Sequence, residues 1–258
     1  MSSRLISHVG NLAAALLLPA SLVGLWSVTS QQGWLPNQIL PAPGVVWQTL
    51  LETAASGDLW TNTVISLQRV LEGFALGALA GLGFGLILGL SPTVRQLFDP
   101  MFLFASQVPA IGWIPLLILV MGIDEGMKVT VIAWASFVPV VLNAAQGIRD
   151  VPSALRELGR VLTFDPWDQL TRVVLPSAVP AIFTGLREGM ANAWQTLVAA
   201  ELFASAEGLG YLITQARQLF QLELVLAMVL VLGLMGLILN GGFAAIERRL
   251  LRWQGYAR

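Results

Sequence analysis

The side chains that usually do covalent chemistry are nearly absent from this chain. Among 258 residues there is no cysteine, a single histidine, His8, and a single lysine, Lys128. The lack of cysteine removes disulfides, thiolate metal sites and a cysteine nucleophile. One histidine cannot furnish the paired ligands of a zinc hydrolase. His8 also precedes the first apolar run, out of reach of a serine within the membrane. A phosphate-cradling loop needs lysine followed by serine or threonine, whereas Lys128 is followed by Val129. The sequence therefore offers no catalytic residues, no metal site, no cofactor site and no nucleotide-driven motor of its own.

What remains is recognition, and two groups of residues could supply it. The first is the polar interval Glu157–Pro176, ELGRVLTFDPWDQLTRVVLP, which ends in a hydrophobic-x-Leu-Pro sequence made by Val173, Leu175 and Pro176. Pro152 early in PSALRELGR and Pro166 early in PWDQLTRVVLP predict two short helices, because proline suits the first helical turn. Such a helix–turn–helix carries Arg156, Glu157, Gly159, Arg160, Thr163 and Asp165. It could seat in a cleft on a partner; an amphipathic hairpin lying on a bilayer is the alternative. The second group sits inside apolar runs: Gln107, Trp113, Asn143, Asn192, Gln195 and Glu201. These suit a polar path through a bilayer, or else hydrogen bonds between helices. A charge at the bilayer centre costs at least about 2.5–3.5 kcal/mol, so Glu201 is expected at the outer interface or facing a wet cavity. Arg187, near the inner end of its run, can extend its head to the interface.

The elements that hold these residues are membrane spans. The chain is 56% hydrophobic and only 11% charged, against about 25% charged for soluble domains. About 20 apolar residues cross the hydrocarbon layer, and six runs fit: about 10–28, 70–90, 101–121, 127–146, 180–201 and 224–245. The first run is read as an uncleaved span, since no small-x-small cleavage site follows it. Residues 45–54 read as a short helix at the membrane surface. Of the fourteen Lys and Arg residues, ten fall on one side if the N-terminus is inside: Arg4, Arg95, Arg149, Arg156, Arg160, Arg172, Arg248, Arg249, Arg252 and Arg258. Arg69, Lys128 and Arg217 fall on the other side. By the positive-inside rule, both termini and the 147–179 loop are cytoplasmic. The net charge of −1 gives no reason to expect nucleic acid as a partner; lipid is the expected surroundings.

Gly73, Gly77, Gly81, Gly85 and Gly89 repeat every four residues, with Gly83 added. Small residues at that spacing let another helix backbone come close, so this span is expected inside a bundle. Pro109, Pro115 and Pro139 predict kinks. Deep ionisable residues and inverted halves, which mark a secondary carrier, are absent, and a non-transporting scaffold would not explain the prolines, amides and glycines together. A subunit of a multi-protein transporter is the reading the residues favour.

At Glu157–Pro176 the chain resembles the permease subunits of bacterial ABC importers. Their cytoplasmic signature runs Glu-Ala-Ala, three residues, Gly, nine residues, Ile-x-Leu-Pro. Glu157, Val173, Leu175 and Pro176 match at the right spacing; Leu158 and Gly159 replace the alanines, and Thr163 replaces the glycine, which bears on the tight turn there. The segments LPAPGVVWQTL (40–50), SLQRVLEGFALG (66–77), VPAIGWIPL (108–116), AWQTLVAAELFASAEGLGYLI (193–213) and ERRLLRW (247–253) are similar to the sulfonate, taurine and nitrate branch. The resemblance implies an all-α, six-span, MetI-like permease of the type I importer architecture in the bacterial inner membrane. It implies a second permease copy, and two separate ABC ATPase subunits that bind ATP and Mg and dock on the 147–179 loop. A periplasmic or lipid-anchored substrate-binding protein would deliver the solute. That solute is expected to be an aliphatic sulfonate or taurine, with nitrate, bicarbonate or a pyrimidine thiamine precursor as alternatives.

Overall fold

A computed structural model describes the backbone of residues 2–33, 36 and 39–251, and side chains from residue 17 onward. The side chains of Arg4, His8, Arg252 and Arg258 lie outside the described residues. The described chain is helical throughout and contains no strand. Its helices are α1 (Ser2–Gln31), α2 (Pro43–Ser56), α3 (Asp58–Leu90), α4 (Pro92–Ser106), α5 (Ile114–Met121), α6 (Glu125–Arg149), α7 (Ser153–Val161), α8 (Pro166–Gln169), α9 (Leu175–Ala204), α10 (Leu209–Gln218) and α11 (Leu222–Leu250).

Among the described residues, α3, α6 and α11 are each long and apolar enough to cross a membrane. Counting each of two bent pairs as one span, α4 with the 110–121 segment and Pro166–Ala204 with α10, raises the number to five. The expected run at 101–121 is not one straight helix. α4 ends at Ser106, a 3-10 turn occupies Ala110–Trp113, and the two halves meet at 85°. Pro109 has no N–H to continue the ladder, and it biases the preceding residue away from the helical region.

The chain divides into two compact units. One comprises Met1–Thr61 with Leu212–Val231, the other Asn62–Tyr211 with Leu232–Arg258. In the first, the Trp26 indole N–H donates to the Pro41 carbonyl at 2.9 Å, and Ser30 donates to the Leu40 carbonyl at 3.4 Å, tying α1 to the start of α2. Pro43 opens α2, and Gly57, with φ +89°, closes it with a left-handed residue.

The second unit is built on α6. The glycine ladder of α3 lies along it in register. Gly73 meets Ile132, Gly77 meets Ala133 and Ser136, Gly81 meets Val140, Gly85 meets Ala144, and Gly89 meets Ile148. A methyl added at Gly73, Gly81, Gly85 or Gly89 would stand only 2.6–2.9 Å from its nearest neighbour, so the helix axes approach as only glycine permits. Gly83, off that face, has nothing within 4 Å. Both sets of numbers rise together, so α3 and α6 run parallel. On the other side α9 runs antiparallel, with Gly147 against Ala181, Gly185 against Asn143, and Gly189 against the Ser136 carbonyl. An aromatic chain, Phe98–Phe84–Phe137–Trp134–Trp113, ties α3, α4 and the 110–113 turn to α6 at centroid distances of 5.7–6.1 Å.

Candidate functional site

Three places in the second unit gather candidate functional side chains. The first is a buried ionic cluster where α3, α6 and α9 share one end. Arg69 faces Glu125 side-on, Nε to Oε2 and Nη2 to Oε1, both at 2.6 Å. Its Nη1 donates to Glu201 Oε1 at 2.9 Å and to the Glu207 carbonyl at 2.7 Å. Glu201, 1% exposed, also accepts from the Ser66 hydroxyl at 2.8 Å and from the Gly210 N–H at 2.9 Å. Lys128 Nζ reaches Glu125 Oε1 at 2.6 Å. Two cations face two carboxylates, so the cluster is formally neutral. Buried charges are tolerated only when paired and hydrogen-bonded in this way. The cluster also pins the 205–210 turn: Ser66 accepts from Leu209 N–H at 2.9 Å, and Asn62 accepts from Gly208 N–H at 2.6 Å. Glu201 thus sits buried inside this cluster.

The second place is the polar face of α9. Thr184, Glu188, Asn192 and Gln195 recur at helical spacing and are all exposed. An exposed polar stripe on a membrane helix must face water or protein, since hydrocarbon leaves such groups unsatisfied. One cavity of about 560 Å³ opens against this face, bounded by α9 and residues 232–247 of α11. A second hollow of about 250 Å³ is lined by Asn192, Gln195, Thr196, Ser106 and Trp134. Asn143 Nδ2 donates to Glu188 Oε2 at 3.0 Å and to the Pro139 carbonyl at 2.9 Å. Gln107 is exposed at the break after α4. Trp113 lines a small apolar hollow, and its buried indole N–H has no hydrogen-bond partner among the described residues. Asn143, Asn192 and Gln195 therefore gather at or beside α9, whereas Gln107, Trp113 and Glu201 sit in three separate surroundings.

The third place is residues 152–176. α7 and α8 form the helix–turn–helix, with Glu157, Arg160 and Asp165 exposed and Gly159 buried. Thr163 has φ +57°, the left-handed conformation that glycine usually supplies. Phe164 N–H bonds the Gly159 carbonyl and Thr163 N–H bonds the Arg160 carbonyl, both at 3.0 Å, which is the glycine-type helix end built on threonine. Asp165 then caps α8, accepting from Asp168 N–H at 2.7 Å. Arg156 reaches back to the Ile148 carbonyl at 2.6 Å. Leu158, Val161, Leu162 and Trp167 are left exposed beside the charges. Leu170–Val174 form a π turn leading into Leu175 and Pro176 at the start of α9.

The long apolar helices define a membrane-spanning protein. Residues 73–252 match the binding-protein-dependent transport system inner membrane component family, and the chain belongs to that family. It is 38% identical to a putative aliphatic sulfonates transport permease protein of Bacillus subtilis, over 93% of this chain and 87% of that one. It is 34% identical to the taurine transport system permease protein of Escherichia coli, over 99% and 92%. To the bicarbonate transport system permease protein of a Synechocystis species it is 29% identical, over 87% and 83%. Its fold is similar to a chain of an inward-facing MetNI methionine ABC transporter, with a TM-score of 0.62 at 15% identity, covering 71% of this chain and 92% of that chain. For an amino acid ABC transporter with histidines the TM-score is 0.64 at 17% identity, covering 78% and 97%. The all-α, MetI-like permease fold expected from the sequence is the one observed.

Nothing local in the sequence marks Arg69, Lys128 and Ser66 as partners in the cluster around Glu201. By sequence alone Arg69 and Lys128 are charges in outer segments. An available signal was that Arg69 and Glu201, of opposite sign, fall at the same predicted depth.

Proposed function

We propose that this chain is the permease subunit of an importer for a small anionic solute, most closely an aliphatic sulfonate or taurine. The observation that carries the reading is the exposed polar stripe of α9 in a chain of the binding-protein-dependent permease family. In lipid that stripe would be unsatisfied, so it lines a wet path or meets a second copy. The near full-length likeness to sulfonate and taurine permeases supports the cargo; the Synechocystis relative keeps bicarbonate as the competing one.

In this reading α1 joins the other spans to make six, both termini lie in the cytoplasm, and two copies sit on two ATPase subunits. ATP and Mg belong to those partners. α7 and α8 dock in them through the exposed Leu158, Val161 and Trp167, with Arg156, Glu157, Arg160 and Asp165 around this apolar patch. A binding protein delivers solute on the opposite face. The chain moves solute and makes or breaks no bond.

The test is uptake in proteoliposomes holding the complete transporter, using taurine, ethanesulfonate and bicarbonate as separate probes. ATP-dependent uptake of either sulfonate is expected, with none when the ATPase is omitted. Uptake of bicarbonate alone would replace the cargo. Accumulation by this chain alone on an ion gradient would replace the machine by a secondary carrier. Glu157→Lys is expected to insert normally and to co-purify with less ATPase; an undiminished complex would remove the docking role of α7.

A further inference from the structure

We infer that the cavity between α9 and α11 is a solute site within the membrane, in which Arg187 receives the anionic head of a solute that also carries a positive charge. This rests on the permease reading above and adds a site and a charge requirement to it.

The cavity measures about 560 Å³, within the range of pockets that hold small organic molecules. Arg187 is placed but not consumed. Its Nε donates to Asn240 Oδ1 at 2.9 Å, while its Nη1 lies 3.6 Å from Glu247 Oε2. Arg69, by contrast, is clamped by carboxylates at 2.6–2.9 Å and keeps 5% side-chain exposure against 46% for Arg187. One arginine of the same protein is thus neutralised for structure, and the other is held loosely at the wall of a cavity. A guanidinium has five N–H donors in a fixed fork that suits an oxyanion, so an arriving sulfonate or carboxylate can exchange with the loose Glu247 contact.

The remaining lining sets the second requirement. Arg187 brings one positive charge, whereas Glu188 and Glu247 bring two negative ones. A plain anion would enter a cavity that already carries an excess negative charge, and like charge brought together in this way is what excludes wrong partners. A solute with its own ammonium group adds no net charge and gives the carboxylates a partner. Trp194 and Phe243 complete the wall, and aromatic faces attract such a cation. Gly236 lets the Trp194 indole lie against α11, because a methyl there would stand 3.0 Å from the indole nitrogen. The chemical class is a short zwitterion, an amino-sulfonate or amino-carboxylate, in preference to nitrate, bicarbonate or an unsubstituted alkyl sulfonate.

The experiment uses the complete transporter in proteoliposomes with taurine and ethanesulfonate as probes, reading solute moved per ATP hydrolysed. Only this chain is varied, so any preference of the binding protein cancels between variants. Arg187→Gln is expected to lower taurine moved per ATP by about 10-fold or more while ATP hydrolysis stays within about two-fold, and Arg187→Lys to recover part of it. Glu247→Gln is expected to raise the ethanesulfonate-to-taurine ratio by about 10-fold. If Arg187→Gln fails to assemble, Glu247→Gln, which keeps the arginine, carries the test. Changes below about two-fold in every variant that assembles would overturn this site and leave the permease reading standing. A wild-type transporter that moves neither probe would overturn both.

Discussion

Arg69 should be among the most sensitive positions in the chain. Changing it to methionine keeps the apolar stem but removes the guanidinium, which makes two bonds to Glu125, one to Glu201 and one to the Glu207 carbonyl. Glu125 keeps Lys128 and is more than half exposed, so water and lysine repair most of its loss. Glu201 is 1% exposed and would keep only Ser66 and the Gly210 N–H. Leaving one half of a buried ion pair costs about 3–5 kcal/mol. For a domain of this size that corresponds to a midpoint lowered by roughly 10 °C. Glu201→Leu alone leaves Arg69 with its Glu125 contacts, so it should cost less. Arg69→Met combined with Glu201→Leu removes both buried charges, and this double variant should recover to within about 2 kcal/mol of wild type. The assay is thermal unfolding of the purified transporter, followed by tryptophan fluorescence, for the two single variants and the double. If Arg69→Met costs under about 1 kcal/mol, or if the double variant loses the sum of the two singles, the pair is not the element that holds these helix ends together.

Two further predictions rest on close contacts elsewhere. Gly81→Leu would press on Val140 at 2.9 Å and should cost about 1–3 kcal/mol or prevent assembly, whereas Gly83→Leu, with open space around it, should change the midpoint by under about 0.5 kcal/mol. Equal effects at the two positions would remove the case for register-specific packing. Thr163→Gly should stabilise the 152–176 segment by about 1 kcal/mol, because threonine at φ +57° carries a penalty that glycine lacks. Slower proteolytic cleavage between α7 and α8 would report the gain, and faster cleavage would refute it.

The bundle was legible because apolar run length is a strong signal in a chain that must satisfy lipid. The glycine repeat announced a close neighbour, yet nothing in α3 itself named α6 as that neighbour or fixed its register. Helix ends were less visible. α3 begins at Asp58, well before the apolar run, and the stretch before that run ends in Arg69, whose charge partners arrive from 56 and 132 residues away. No local pattern encodes a pairing of that separation, so the cluster around Glu201 is not legible in the sequence. Thr163 departs from the glycine that the resemblance implies, yet its φ of +57° is the conformation glycine usually supplies; the carbonyls of Gly159 and Arg160 need donors there whichever side chain stands at the bend. Arg187 is legible near the inner end of its run, whereas the cavity needs residues 232–247 folded against it.

The π turn at Leu170–Val174 has a geometric consequence for anyone exchanging this segment between relatives. Leu175 N–H bonds the Leu170 carbonyl, five residues back, so the helical path holds one residue more than an α-helix would need. Each residue of an α-helix is worth about 100° of rotation. α8 and α9 are therefore a single rod cut from two screws that are out of phase by about that angle. The fixed count of residues between Thr163 and Leu175 is thus an angular setting: it decides which side of the rod carries Trp167 and Asp165 relative to the stripe that begins at Thr184. A graft that kept every contacting residue but dropped one position from the turn would present the same surface in the wrong direction.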